Sequence, residues 1–372
     1  MHKALSEAVV PSLFNQVIFA PSELDMEIAK NVLGTFGRHV THLVLVSVNY
    51  RTLTFNQYRD MHQRRHGNYR TASKEDEKTS YDVYETLCLW QKNIEQDHDD
   101  VVFIRRALIA APSIRTIEIN DRWPSDAVQA FYRNLTLNQH CGSRDSPWDF
   151  PVLCPKSGYE PKHYGSIDAV WIRPLTIVAQ ALEAVDRQIH TFRISHAGAF
   201  RLPLKALHHL RSNIGDQYRF FCYLRSLDLQ LGVQDYRGTF EKPAGLVNLL
   251  KTATNLETLN LSFDEAAAHI FRAVAAKVQF PALKHLSLEN CTADEEFWIK
   301  FFQNHEKTLR TLVGVHLTVD EFLSSDITVC GKWENVLWKG MSKVHFSNLE
   351  VRELWQGSMM LKEGIRLVRV EN

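Results

Sequence analysis

The chain holds 372 residues, 45% of them hydrophobic and 23% charged. This is the composition of a folded protein able to bury a sizeable core, as one long unit or as two ordinary domains. Lys plus Arg and Asp plus Glu both number 43, which excludes a nucleic-acid grip spread over the whole molecule and leaves room only for a local basic patch.

Residues 1–19 carry Glu7, Asn15 and Gln16 within their apolar stretch and show no basic region followed by a clean apolar run. No signal peptide is expected. No run of about 18 apolar residues occurs, so no membrane span is expected either. The six cysteines, Cys88, Cys141, Cys154, Cys222, Cys291 and Cys330, are scattered without a C-x-x-C pair. They read as reduced thiols, and the expected location is intracellular, cytoplasmic or nuclear. The sequons at Asn134, Asn260 and Asn290 are then expected to be unused.

The first strand signal is Val40-Thr-His-Leu43-Val-Leu45. The stretch 56–82 that follows is polar and charged and reads as a long insertion or loop. Tyr58, Arg64, Arg65, Tyr69 and Arg70 mix basic and aromatic residues as a single-stranded nucleic-acid site would, but Glu75, Asp76 and Glu77 cancel the charge. A solvated loop is the expectation. Asp97-His-Asp99-Asp100 precedes an apolar helix pattern over 101–110, placing Asp99 or Asp100 near its N-cap. A second strand signal is Ile114-Arg-Thr-Ile117-Glu-Ile119. Residues 138–166 include Pro147, Pro151, Pro155 and Pro161 and read as a loop. Within it His140, Cys141, Cys154 and His163 could in principle hold zinc, at a spacing that fits no known module, so a plain loop is expected. His208 and His209 stand in a helical pattern and are expected to face a groove or solvent.

Beyond residue 188 the strand signal becomes regular. Ile189-His-Thr-Phe192-Arg-Ile194, Leu224-Arg-Ser-Leu227-Asp-Leu229, Leu256-Glu-Thr-Leu259-Asn-Leu261 and Leu283-Lys-His-Leu286-Ser-Leu288 all fit L-x-x-L-x-L. Leu309-Arg-Thr-Leu312 opens a fifth copy that then degrades. The copies start at 189, 224, 256, 283 and 309, thus 35, 32, 27 and 26 residues apart. Alternation at L-x-L is the period of a strand with one buried face. Between copies run helical patterns: Ile270, Val274 and Val278, then Phe297, Phe301 and Phe302. Thr292-Ala-Asp-Glu295 fits a capping box for the latter helix. A strand–turn–helix unit cannot bury its apolar face alone, so neighbours must stack. The predicted fold is α/β, a leucine-rich-repeat-like solenoid: a curved parallel sheet with helices on its convex side. Leu283 to Cys291 fits the fuller L-x-x-L-x-L-x-x-C form of leucine-rich repeats, and that resemblance implies that Cys291 closes the turn inside the core. Trp333, Trp338 and Trp355 are expected to cap the last repeat.

No phosphate-binding loop surrounds Gly34 and Gly37, and no G-x-S-x-G or H-E-x-x-H occurs. No catalytic, cofactor-binding or metal-binding residue is expected, and no enzyme.

Ala8-Val-Val-Pro11-Ser-Leu13-Phe14-Asn-Gln-Val17 resembles the link in fungal F-box proteins that joins the last F-box helix to the first repeat strand. Leu33 to Leu43 is similar to the helix and strand that follow there. The resemblance extends over most of the chain as architecture. It implies the substrate-recognition part of a ubiquitin-ligase subunit, with most of the F-box itself missing: the L-P-x-E-like helix that grips the ligase adaptor has no counterpart here, so no adaptor-binding residue is assigned. Residues 1–20 read as the remnant of that last helix and link, 21–137 as irregular repeats with the insertion 56–82, 138–166 as the loop, and 167–372 as regular repeats with a cap, in one continuous solenoid.

In each strand the positions between the apolar ones point to the opposite face. That concave surface should carry Thr116, Glu118, Asn120, Thr191, Arg193, Ser195, Ser226, Asp228, Gln230, Thr258, Asn260, Ser262, His285, Ser287 and Glu289. The residues expected to bind a partner are Arg193, Ser195, Ser226, Asp228, Gln230, Thr258, Asn260, His285, Ser287 and Glu289. A protein partner or substrate is expected there, rather than nucleic acid or membrane. A repeat scaffold unrelated to ubiquitin is the alternative.

Overall fold

A computed structural model describes residues 14–47, 53–66, 74–120, 167–195, 201–204, 206–207, 219–232, 243–264, 267–319, 332–356 and 359–368. The architecture is α/β, with parallel strands flanked by helices. The chain divides into two compact units, residues 1–185 with 196–200 and residues 186–195 with 201–372.

Unit 1 contains β1 (Gln16–Phe19), α1 (Glu23–Phe36), β2 (His42–Val46), α2 (Phe55–His66), α3 (Lys74–Asp97), α4 (Asp99–Ala110), β3 (Thr116–Asn120) and α5 (Ile167–Ala184). Its three strands are parallel. Val17, Leu43 and Ile117 stand in one register row, and Phe19, Leu45 and Ile119 in the next. All six are buried. The F-box-like link is described from Phe14 onward, where Phe14 stacks on Phe36 at 3.9 Å and Val17 enters β1. Ser22 caps α1 by accepting from the Asp25 N–H at 3.2 Å. Gly37 follows the helix because a Cβ there would stand 2.6 Å from the Ala110 carbonyl oxygen. That close approach joins the ends of α1 and α4.

The polar stretch 56–82 is not a plain loop: α2 and the start of α3 occupy most of it. Leu53, Tyr58, Tyr84 and Leu87 form a small core of their own, with Tyr58 5.1 Å from Tyr84 and the Tyr81 hydroxyl donating to the Leu53 carbonyl at 2.9 Å. Three tyrosines supply apolar burial that residue polarity alone conceals. His98, at φ 57°, turns the chain from α3 into α4. Asp99 and Asp100 do lie in the first turn of α4, but no side chain caps it. The Asp100 carboxylate is instead buried and accepts from Arg173 Nη2 of α5 at 2.6 Å.

Unit 2 contains β4 (Thr191–Ser195), β5 (Leu202–Pro203), β6 (Ser226–Gly232), α6 (Ala244–Thr252), β7 (Thr258–Phe263), α7 (Ile270–Ala275), β8 (His285–Ala293), α8 (Glu295–Asn304), β9 (Thr311–Val319), α9 (Trp333–Asn335), β10 (Asn348–Gln356) and β11 (Met359–Val368). Strands β4, β6, β7, β8, β9 and β10 are parallel neighbours in that order. β5 pairs with the end of β6, and β11 returns antiparallel to β10. Phe192, Leu227, Leu259, Leu286, Leu312 and Leu349 form one buried register row. Ile194, Leu229, Leu261 and Leu288 form the next. The helices cover this apolar face: Phe302 of α8 and Trp333 of α9 share a small cavity with Leu312, Leu317, Leu349 and Val351.

The fifth copy does not degrade as a strand. β9 runs nine residues, with Gly314 where the third leucine of the pattern would stand. Leu317 fills that space, since a Cβ on Gly314 would meet its Cδ1 at 2.5 Å. Asn290 and His316 take positive φ, 55° and 52°, which re-aims the strands so that Cys291 and Leu317, in register, point inward. The Asn290 amide donates to the Phe263 carbonyl at 2.8 Å. Cys291 is buried at this turn as expected. The capping box at Thr292 is displaced: β8 continues to Ala293, so Asp294 caps α8, accepting from the Phe297 N–H at 2.8 Å. Trp333 packs on Trp298 at 5.9 Å and belongs to the cap. Trp338 does not, being 80% exposed. The side chain of Trp355 and the residues 121–166 and 208–209, with the zinc-like cluster and the histidine pair, lie outside the description.

Candidate functional site: the polar sheet face of unit 2

Parallel pairing without slippage converts alternate strand positions into rows. Thr191, Ser226, Thr258 and His285 form the first row, and β9 and β10 extend it with Thr311 and Asn348. Arg193, Asp228, Asn260 and Ser287 form the second, continued by Val313 and Glu350. Gln230, Ser262 and Glu289 form the third, continued by Val315 and Arg352. Ser195, at the end of β4, is half-buried. His285 is exposed and the other predicted residues are partly exposed. Nine of the ten predicted partner-binding residues therefore stand in aligned rows on one face.

The rows are cross-linked. Arg193 Nε lies 3.4 Å from Asp228 Oδ2, and Asn260 Nδ2 donates to that oxygen at 3.4 Å. Arg201 Nη1 donates to Ser262 Oγ at 2.8 Å, and the Ser262 hydroxyl donates to the Glu289 carboxylate. Arg352 Nε donates to Glu350 at 2.9 Å. Such bonds hold side chains in place on an open face, and fixed polar groups recognise a partner with less ordering cost than free ones. Arg201 carries no strand-period signal and is missed by pattern reading. Val313, Glu350 and Arg352 are missed because the fifth copy lacks its third leucine. The alternation Leu312, Gly314 against Val313, Val315 was the available clue.

The polar strand positions of unit 1 do not form an open face as predicted. Glu118 and Asn120 are 7% and 8% exposed, and Val44 and Val46 on that face are buried. Glu118 lies 3.3 Å from His42 Nε2 and accepts from Asn120 Nδ2 at 3.2 Å. Covered on both sides, β2 and β3 offer no open binding face there.

A groove of about 740 Å³ on the helix side is lined by residues including Phe280, Phe297, Phe301, Lys277 and Lys300. His305 at its end donates from Nδ1 to the Phe301 carbonyl, 2.7 Å away, and burial holds its pKa below the usual histidine value. Among the described residues no group of three or more His, Cys, Asp or Glu side chains could hold a metal ion. Burial raises the pKa of the Cys291 thiol, and raises that of Cys88 to about 11. No described helix is long and apolar enough to cross a membrane.

No protein-family model matches the sequence, and no curated protein matches it. Among solved structures, a chain of the yeast Rad7–Elc1 complex is similar over 90% of this chain and 76% of that one, at 11% identity and a TM-score of 0.30.

Proposed function

We propose that this chain is a leucine-rich-repeat-like interaction module that binds a protein partner on the polar sheet face of unit 2 and catalyses no reaction. The observation that carries the reading is the set of register-aligned rows through Arg193, Asp228, Asn260 and Ser287, uninterrupted from β4 to β8. A face of fixed, mixed-charge polar groups with the valines of β9 among them suits protein recognition, in which a few anchors carry most of the energy.

The finer reading is the substrate-recognition role implied by the F-box-like link, inside the cell. Phe14 on Phe36 and the entry of Val17 into β1 support it locally. A scaffold unconnected to ubiquitin is the alternative. Affinity purification of the tagged chain from its native cells, with mass spectrometry, separates them. Recovery of a ligase adaptor and cullin supports the first, and other partners without them support the second. The face itself is tested with the double variant Asp228→Lys/Glu289→Lys, checked for an unchanged circular-dichroism spectrum. Loss of the partners is expected, and their full retention would show that they bind elsewhere.

A further inference from the structure

The formal charge of zero conceals a segregation along unit 2. The residues that enter each strand form a backbone ladder at one end of the sheet. Arg225 donates its N–H to His190, Glu257 to Arg225, Lys284 to Glu257, Arg310 to Lys284 and Ser347 to Arg310, each at 2.8 Å. Adjoining this ladder, the helix ends and turns carry Lys251, Lys277, Lys307 and Lys343, all exposed. None of the four forms an ion pair among the described residues. The acids here are few: Asp186, which is exposed, Glu257, paired to Lys284 at 2.8 Å, and Glu306. The starts of α8 and α9, at the other end of the strands, carry Asp294, Glu295, Glu296 and Glu334 against two cations, Arg272, paired to Asp294 at 2.7 Å, and Lys332. Helix dipoles favour this polarity, yet Arg225, Lys277, Lys284, Lys307 and Arg310 lie outside the helices.

A second observation is independent of charge. Among the described residues, the exposed large aromatic side chains are Tyr223, 43% exposed, and Trp338, 80% exposed. Tyr223 stands on this edge, and Trp338 lies toward it, one helical turn beyond Glu334 on the helical segment that runs from α9 to Lys343. Tyr223 is two residues before Arg225 in the turn that leads to β6. The Lys339 carbonyl next to Trp338 accepts from Gln303 Nε2, in the last turn of α8, at 3.1 Å. Lysines between open aromatic faces are what a single strand of nucleic acid uses: ammonium groups neutralise phosphates, and bases stack on the rings. An acidic peptide would need only the lysines, whereas bases use both the charges and the ring faces.

We propose that this edge of unit 2 binds single-stranded nucleic acid, with phosphates on Lys251, Lys277, Lys307 and Lys343 and bases on Tyr223 and Trp338. The surface is distinct from the polar sheet face, so either proposal can fail without the other.

The test is fluorescence anisotropy of a fluorescein-labelled oligodeoxythymidine with the full chain over a salt series. Saturable binding is expected, with log K falling linearly in log salt at a slope of about −2.8 for four contacts at roughly 0.7 each. The exposed pair Lys277→Glu/Lys307→Glu should weaken binding at least about tenfold and flatten the slope by about 1.4, with an unchanged melting temperature. Trp338→Ala should weaken binding roughly 5- to 100-fold at unchanged slope, since stacking releases no counterions. Absence of binding at low salt overturns the proposal. So does displacement by polyglutamate at equal charge concentration together with an unaffected Trp338→Ala variant, which would assign the edge to acidic protein segments.

Discussion

Asp25 shows how one buried group sets a pH dependence. Its carboxyl sits in the first turn of α1, accepts from the Ser22 hydroxyl at 2.8 Å, and is only 6% exposed. Burial raises its pKa to about 6, the Ser22 hydrogen bond opposing. A raised carboxyl binds its proton in the folded state before the unfolded one does, so between about pH 4 and 6 folding stability falls as pH rises. At neutral pH the buried charge costs on the order of 2–3 kcal/mol. Asp25→Asn should therefore raise the melting temperature at pH 7 and lose that advantage at pH 4; an equal gain at both would disprove the linkage. The thiols of Cys88 and Cys291, both raised by burial, should resist iodoacetamide at pH 7.5 in the folded chain and react on unfolding, because the thiolate is the nucleophile. Rapid labelling of the native protein would contradict their burial.

At the scale of elements, α4 and α5 are held by a charge that burial makes demanding. Asp100 is inside, with Arg173 Nη2 at 2.6 Å and Glu95 3.7 Å from Arg173 Nε. Removing the cation leaves the carboxylate buried and unpaired, so Arg173→Ala should cost about 3–5 kcal/mol. The double variant Asp100→Ala/Arg173→Ala should recover part of that loss; chemical denaturation of both decides, and a double variant less stable than the single one would refute the pair. In unit 2 the leucine rows carry the stability. Leu261, 2% exposed between β6 and β8, should cost about 2–5 kcal/mol when cut to alanine, whereas Ser287→Ala on the opposite face should cost under about 0.5 kcal/mol. The contrast in denaturation midpoints checks which face is the core. The helices of 55–97 show the limit of pattern reading at this scale: periodicity finds helices with an apolar stripe, and here the stripe is tyrosine among charges.

For the whole molecule, the even charge count hides a basic and an acidic edge within unit 2. The salt slope and the variant pair at Lys277 and Lys307 address the basic edge, while Asp228→Lys/Glu289→Lys addresses the sheet face. Amide hydrogen exchange offers a global check on the fold. The central strands β7 and β8 have paired neighbours on both sides and a buried leucine face, so their amides should exchange slowest. Those of α2, which packs through a small satellite core, should exchange orders of magnitude faster. Equal protection of both would mean the satellite core is as cooperative as the sheet.

By itself the sequence determined the α/β alternation, the strands opened by Ile189, Leu224, Leu256 and Leu283, and the identity of the polar rows, because period-two alternation and a repeated spacing are local properties of the chain. The inward turn at Cys291 was legible only through the L-x-x-L-x-L-x-x-C form, since strict alternation would have turned Asn290 inward instead. Tertiary structure decided the rest. Glu118 and Asn120 have the same pattern as Asp228 and Asn260, yet they are buried, since what covers a face is remote in sequence. Gly314 stands in a leucine place only because Leu317 folds back into it. Trp338 stays outside while Trp333 fills the core, a choice set by the space beside Trp298. The charged edge of unit 2 exists because register stacks residues 26 to 35 positions apart into one row, and composition cannot report where charges meet.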